Sequence, residues 1–288
     1  MKADVGIVGL GIMGSAMAKN LLAAGHSVAG YDPDGSAVSA HRAAGGIAQA
    51  SAGEVASAAP VILLSLPSSA ALEAVVADIA RSGATDCVLV ELSTLKIDDK
   101  RAARDALAQR DITLLDCPVS GTGAQAARGD LVVLASGDAE AVGRCRPFLD
   151  AIARETRYLG EFGNGMKMKC VANLLVAIHN TAAAEALVLA QRAGLDLQET
   201  YDVISAGAGS SRMFELRGPM MVEGRYSPPT MKNEVWRKDL DLIAEFAAGL
   251  GSPAPLFSLT DRLYAEAEAM GLGGEDTAAV KRVLDELL

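Results

Sequence analysis

Two periodicities alternate along the first half of the chain. Six short runs are apolar almost throughout: Val5-Gly6-Ile7-Val8, Ser27-Val28-Ala29-Gly30-Tyr31, Val61-Ile62-Leu63-Leu64-Ser65-Leu66, Cys87-Val88-Leu89-Val90-Glu91-Leu92, Thr113-Leu114-Leu115-Asp116 and Leu131-Val132-Val133-Leu134-Ala135-Ser136. Between them, stretches 70–81, 98–109 and 139–152 carry apolar residues at three- and four-residue spacing, which predicts helices. Strands that are apolar throughout, rather than at every second position, are buried on both faces. The pattern therefore predicts an α/β domain with a doubly wound parallel sheet, whose ligands lie at the carboxyl ends of the strands.

Near residue 160 the texture changes. Gly160-Glu161-Phe162-Gly163-Asn164-Gly165 reads as a glycine-rich hinge, and a helix is expected from 166 to 193, stopped by Gly194. Asp196 with Glu199 resembles a capping box for the next helix. The remainder reads as helices broken at 207–211, 226–229 and 249–255. Two domains are expected, 1–161 and 162–288, the second all-helical. Residues 174–189 are apolar on nearly all sides, and a helix of that kind must be covered on all sides. A homodimer or homotetramer held by the helical domain is the expectation.

Composition narrows the classes. The chain has 288 residues, half of them hydrophobic, and a formal charge of −10. An acidic surface disfavours nucleic acid as a partner. No run of eighteen apolar residues is free of charges or turn signals, so no membrane association is expected. A strand is predicted directly after Met1-Lys2, so no targeting segment is expected and the reading is cytoplasmic. Cys87, Cys117, Cys145 and Cys170 are far apart and read as reduced thiols. No histidine stands at ligand spacing, so no metal site is expected. His26 and His41 are expected at the surface, and His179 is assigned to packing or an interface.

The first strand runs into Gly9-Leu10-Gly11-Ile12-Met13-Gly14 and then a helix. This is G-x-G-x-x-G in a strand–turn–helix context, the Rossmann fingerprint. Gly9 allows the tight turn, Gly11 a close backbone approach to a pyrophosphate, and Gly14 close helix–strand packing. The helix N-terminus adds free N–H groups and the positive end of its dipole. The second strand ends at Asp32, where a carboxylate can take the ribose 2′-OH. The next basic residue is Arg42, so NAD is favoured over NADP.

Three further constellations carry candidate chemistry. Gly163-x-Gly165-x-x-x-Lys169-x-x-x-Asn173 puts Lys169 and Asn173 on one face of the long helix, though the pattern alone reads equally as a solvated stripe. Asp116-Cys117-Pro118-Val119-Ser120-Gly121-Thr122-Gly123 starts at the carboxyl end of the fifth strand, as a substrate loop or an ordinary turn. Pro67 and Glu91-Leu92-Ser93-Thr94 share that edge. Trp236-Arg237-Lys238-Asp239-Leu240 sets two basic residues beside the sole tryptophan, which a charged helix face would also do.

Together and in this order, the four motifs resemble the β-hydroxyacid dehydrogenases, a family that includes 3-hydroxyisobutyrate, tartronate semialdehyde and threonate-type enzymes. The likeness spans essentially the whole chain. It implies that Lys169 is the catalytic lysine and Asn173 its substrate-orienting partner. Ser120, Gly121 and Thr122 would hold the substrate carboxylate, and Lys238 would close over substrate and cofactor. Gly9, Leu10, Gly11, Ile12, Met13, Gly14, Asp32, Leu66, Pro67 and Thr94 would bind NAD. The sequence departs from the family at Thr122, in place of a glycine, at Glu91, in place of an aspartate, and at Met231 and Val235. Met166-Lys167-Met168-Lys169 and Arg212-Met213-Phe214-Glu215 lean towards the threonate-type branch.

The implied reaction moves a hydride between NAD and a small hydroxy acid, or its semialdehyde or keto acid, with Lys169 as general acid/base. A lysine can be the base where burial and nearby positive charge make its neutral amine accessible. Lys167 lies about 200° around the helix and does not share the role. The site is expected in the cleft between the domains. A decarboxylating 6-phosphogluconate dehydrogenase would need a longer helical domain, and an imine-reductase-like enzyme usually lacks the lysine. A catalytically silent NAD(P)-binding sensor would have no reason to keep Lys169, Asn173 and Ser120.

Overall fold

The structure is a computed structural model and describes residues 2–287. Its strands are β1 (Val5–Val8), β2 (Val28–Tyr31), β3 (Ile47–Ala48), β4 (Val61–Leu64), β5 (Val88–Glu91) and β6 (Thr113–Asp116), followed by β7 (Val119–Ser120), β8 (Leu131–Ala135) and β9 (Ala153–Tyr158). The first six form one parallel sheet in the order β3-β2-β1-β4-β5-β6. The order reverses between β1 and β4, and that switch point opens a crevice at the carboxyl ends of the strands. Successive strand residues serve opposite faces. Ile7, Leu63 and Val90 enter one core with helices α1 (Ile12–Ala23) and α7 (Ala139–Ile152). Val8, Leu64 and Leu89 enter another with α3 (Ala52–Ala58), α4 (Ser69–Ser82) and α5 (Ile97–Ala108). Each fully buried aliphatic side chain contributes about 1.5–3 kcal/mol. Burial on both faces is why these strands read as unbroken apolar runs.

The sixth apolar run departs from expectation. It forms β8 of a separate three-stranded sheet, β7-β8-β9, antiparallel to β7 and parallel to β9. β9 follows α7 with no loop and carries Arg154, Glu155 and Arg157 on an open edge, so no apolar run announced it. His41, on α2 (Gly35–Ala43), is buried rather than at the surface, with Nε2 3.2 Å from the Val28 carbonyl. Its ring occupies the space a Cβ would need at Gly30 or Gly46, and burial lowers its pKa. The short helix α6 (Gly123–Ala126) completes this part of the chain.

The chain divides into two compact units, Met1–Lys169 and Cys170–Leu288, and α8 (Asn164–Arg192) runs through the division. The second unit adds α9 (Leu197–Ala206), α10 (Arg212–Glu223), α11 (Asn233–Gly249), α12 (Pro255–Ala269), a 3-10 turn at Thr277–Ala279 and α13 (Val280–Glu286). Asp276, fully buried, ties this unit together. It accepts hydrogen bonds from Arg217 Nε (2.9 Å), Thr230 N (2.6 Å), Met231 N (3.1 Å) and Ala278 N (3.0 Å). Asn180 joins α8 to α12 and to the turn, donating to Tyr264 Oη (2.6 Å) and the Thr277 carbonyl (2.8 Å). By length and composition alone α8 would pass for a membrane span. Its buried Lys169, Asn173 and Asn180 suit a helix packed inside protein.

Candidate active site

The glycine loop is built as its three glycines demand. Gly9 has φ +90°, and a Cβ there would meet the Ser65 carbonyl oxygen; at Gly14 it would meet the Gly9 carbonyl oxygen. Gly11 differs, because its missing Cβ faces open space. It is the N-cap of α1 and provides no side-chain cap, so the amides of the first turn are left for another acceptor. Ile12 is exposed, Met13 half-buried and Leu10 buried. Asp32 at the end of β2 accepts from Leu10 N at 2.7 Å and from Asp34 N at 2.8 Å. The carboxylate thus holds the fingerprint loop to β2, and each oxygen keeps a lone pair for a further donor. An uncapped helix start, a backbone free to approach and a fixed carboxylate fit a dinucleotide: pyrophosphate at Gly11–Gly14, ribose at Asp32.

The neighbouring strand ends are cross-linked by polar bonds. Leu66 N donates to Ser93 Oγ (2.7 Å), and Ser93 N to Glu91 Oε1 (3.0 Å). Pro67 is exposed and Thr94 half-buried beside this pair. Ser120, on β7, is half-buried. Gly121 has φ +139°, and a Cβ there would strike Leu131. Gly123 lies so close to Ile12 that a Cβ would meet its Cγ2 at 2.9 Å. The 120–123 loop and the fingerprint loop are therefore neighbours. Thr122 is occupied by other work: its Oγ1 accepts from Gln125 N (3.4 Å) and its N–H donates to Gln125 Oε1 (3.0 Å), forming the capping box of α6. Ser120 is left with the more available hydroxyl.

Lys169 is buried on α8, at 8% exposure, and Asn173 follows one turn later at 4%. The Asn173 amide donates to Asp239 Oδ2 (3.0 Å), and Lys238 Nζ lies 3.6 Å from Asp239 Oδ1. Arg237 is bound to Asp241 and Asp261, so it braces α11 against α12. Glycines 163 and 165 do not make a loose hinge. A Cβ on Gly165 would meet the backbone oxygens of Leu134 and Asp116, so this glycine is a close-packed contact.

Spacing missed the functional standing of Lys100, Ser136 and Asp239. Lys100, fully buried on α5, bridges Glu91 and Asp116 at the ends of β5 and β6. One signal was available: 97, 100, 103 and 107 follow helical spacing along the inward face of α5, and Lys100 is the charged member of that stripe. Ser136 is buried beside Asp116, and Asp239 is half-buried between Asn173 and Lys238. Burial also pushes the Cys117 thiol well above its ordinary pKa, and Cys87 to about 11, so these cysteines are inert packing groups.

Comparison with known proteins agrees with this architecture. Residues 4–160 match the family of the NAD binding domain of 6-phosphogluconate dehydrogenase, and residues 163–284 match the NAD-binding family of NADP-dependent 3-hydroxyisobutyrate dehydrogenase. An L-threonate dehydrogenase of Cupriavidus necator is 34% identical over 98% of this chain and 96% of its own. A 3-hydroxyisobutyrate dehydrogenase structure from Salmonella typhimurium is 36% identical, with TM-score 0.86 over 97% of this chain and 99% of that one. The Mycobacterium tuberculosis 3-hydroxyisobutyrate dehydrogenase structure with L-serine is 30% identical, with TM-score 0.90 over 99% of each chain. On motifs, fold and relatives alike, the chain belongs to the β-hydroxyacid dehydrogenases, oxidoreductases that transfer hydride between NAD(P) and a hydroxy acid.

Proposed function

We propose that the protein is an NAD-preferring dehydrogenase of a small hydroxy acid, a four-carbon sugar acid of the L-threonate type, with Lys169 as general acid/base. The observation that carries the catalytic part is the burial of Lys169 one turn into α8, with Asn173 following on the same face. When bound, the dinucleotide supplies the hydride acceptor for oxidation. Lys169 takes the hydroxyl proton as the carbinol carbon is oxidised, and as ammonium it returns that proton in the reverse direction. Asn173, its amide fixed by Asp239, offers its carbonyl oxygen to orient the hydroxyl. Ser120 and the Gly121 backbone hold the carboxylate.

NAD preference is supported by Asp32, whose fixed carboxylate would repel a 2′-phosphate, and by the absence of a base in Pro33-Asp34-Gly35-Ser36. The substrate assignment is supported by the Cupriavidus necator relative named L-threonate dehydrogenase. Domain limits of 1–161 and 162–288 are supported by the two family matches, which meet between 160 and 163. A homodimer or homotetramer is supported by a groove of about 720 Å³ between α8 and α9, flanked by exposed Leu189, Leu195 and Val203. Four buried free cysteines suit the cytoplasm.

The deciding experiment is a panel of hydroxy acids with NAD and NADP, followed at the NADH absorbance band. The expected result is highest kcat/KM with L-threonate and NAD. Preference for 3-hydroxyisobutyrate would overturn the substrate assignment, and no turnover with any member would overturn the enzymatic one. Light scattering that finds only a species near the 29.6 kDa of one chain would overturn the assembly.

A further inference from the structure

The first turn of α8 is held by a buried charged cluster that proton and hydride transfer do not use. Lys100 Nζ lies 2.5 Å from Glu91 Oε2 and 2.8 Å from Asp116 Oδ1, and all three side chains are fully buried. Burial alone would lower the Lys100 pKa, but the two carboxylates hold it above the ordinary value, so the cation persists. The second oxygen of Asp116 accepts the Met166 N–H at 2.8 Å. Ser136 Oγ, 2.9 Å from the Asp116 carbonyl oxygen, accepts the Gly165 N–H at 2.9 Å. Two amides at the positive end of the α8 dipole therefore face this cluster, which has two carboxylates for one ammonium.

We infer that Lys100, Glu91, Asp116 and Ser136 form a brace that sets the rotation and height of the first turn of α8, and so positions Lys169. Three features support a role beyond joining strands. The bonded amides belong to Gly165 and Met166, and Lys169 follows within one turn. Gly165 leaves no room between the helix and the Asp116 and Leu134 carbonyls, so the turn is seated as well as tethered. Asp116 also ends β6 and leads into the segment that reaches Ser120 on β7, so the residue whose carboxylate holds the helix stands four positions before that hydroxyl. A slip of one residue in the helix would turn Lys169 by about 100°. Lys100 and Ser136 are positioning residues. They touch no reacting atom.

The inference rests on Lys169 being the acid/base, and the test separates the two claims. Ser136→Ala keeps the three charges and removes the acceptor for Gly165. Its kcat is expected to fall about 10- to 100-fold, with the NAD dissociation constant unchanged and a larger primary deuterium isotope effect. In a Lys169→Ala background, single-turnover measurement is expected to show no additional loss from Ser136→Ala. Lys100→Met should act in the same direction, and if it does not fold, Ser136→Ala decides alone. Ser136→Ala that lowers Tm yet leaves kcat and the isotope effect unchanged would overturn the brace. So would an equal loss in the Lys169→Ala background. Full turnover by Lys169→Ala itself would bring down the reading of Lys169, and the brace's purpose with it.

Discussion

Asn173 donates a 3.0 Å hydrogen bond to Asp239, and the other oxygen of the same carboxylate lies 3.6 Å from the Lys238 ammonium. One aspartate therefore organises two candidate site residues that are far apart in sequence. The bond takes up an N–H of the Asn173 amide and leaves its carbonyl oxygen to accept from a substrate hydroxyl.

Asp239→Ala should lower kcat/KM about 10- to 100-fold, the equivalent of about 1.5–3 kcal/mol for a hydrogen bond to a charged group. Cofactor binding should be retained, measured by titration of NADH fluorescence. Unchanged kcat/KM would show that Asn173 needs no anchor.

Lys169→Ala should lower kcat by about 10²–10⁴, the usual contribution of a positioned acid/base group. NAD should still bind, because the fingerprint loop does not depend on Lys169. A variant that keeps more than about a tenth of wild-type kcat would remove the lysine from its role.

Asp32→Ala with Pro33→Arg should raise the ratio of NADP to NAD turnover, by removing a carboxylate that repels a 2′-phosphate and adding a partner for it. Some loss with both cofactors is expected as well, because Asp32 also anchors Leu10 of the loop. A wild-type enzyme that already prefers NADP would contradict the assignment.

Gly165→Ala should destabilise by about 1–3 kcal/mol or more, since the new methyl meets two backbone oxygens that cannot rotate away. Denaturant unfolding measures it. An unfolding free energy equal to wild type would mean that α8 shifts freely, as a hinge would.

Acid sensitivity should centre in part on Asp276. Burial alone would raise its pKa, but Arg217 and the hydrogen bonds from Ala278 and Thr230 hold it below the ordinary 3.8. A carboxylate depressed in the folded state stabilises fully above its unfolded pKa, and that contribution is lost as pH falls from about 4 through the lower folded value. Asp276→Asn should therefore flatten the decline of stability below about pH 4, read from urea unfolding as a function of pH. An unchanged slope would assign the acid loss to other groups.

Those features set by local stereochemistry or by burial on two faces were legible in the sequence. Gly9 and Gly14 each occupy the position their spacing implied, because a tight turn and a close helix–strand approach exclude a Cβ wherever they occur. Helix α7 matches its predicted limits, 139–152, since Asp138 caps its start and its apolar spacing is regular. Strand β9 was invisible, because a solvent-facing edge needs no apolar residues and pairing with β8 is a long-range event. His41 was misplaced for a related reason: two glycines from distant positions, Gly30 and Gly46, make the space its ring fills.

The sequence by itself determined the class of sheet, the dinucleotide loop and the residue types available for chemistry, because these rest on spacing along the chain. Tertiary structure alone decided how charges were disposed. Nothing in their spacing pairs Lys100 with Glu91 and Asp116; that pairing exists only once β5, β6 and α5 converge and exclude water from all three. Thr122 looks like a substrate hydroxyl until α6 claims it as a cap. Burial and hydrogen-bond partners depend on which distant segments meet, and in a low-dielectric interior those meetings decide whether a polar group braces, caps or reacts.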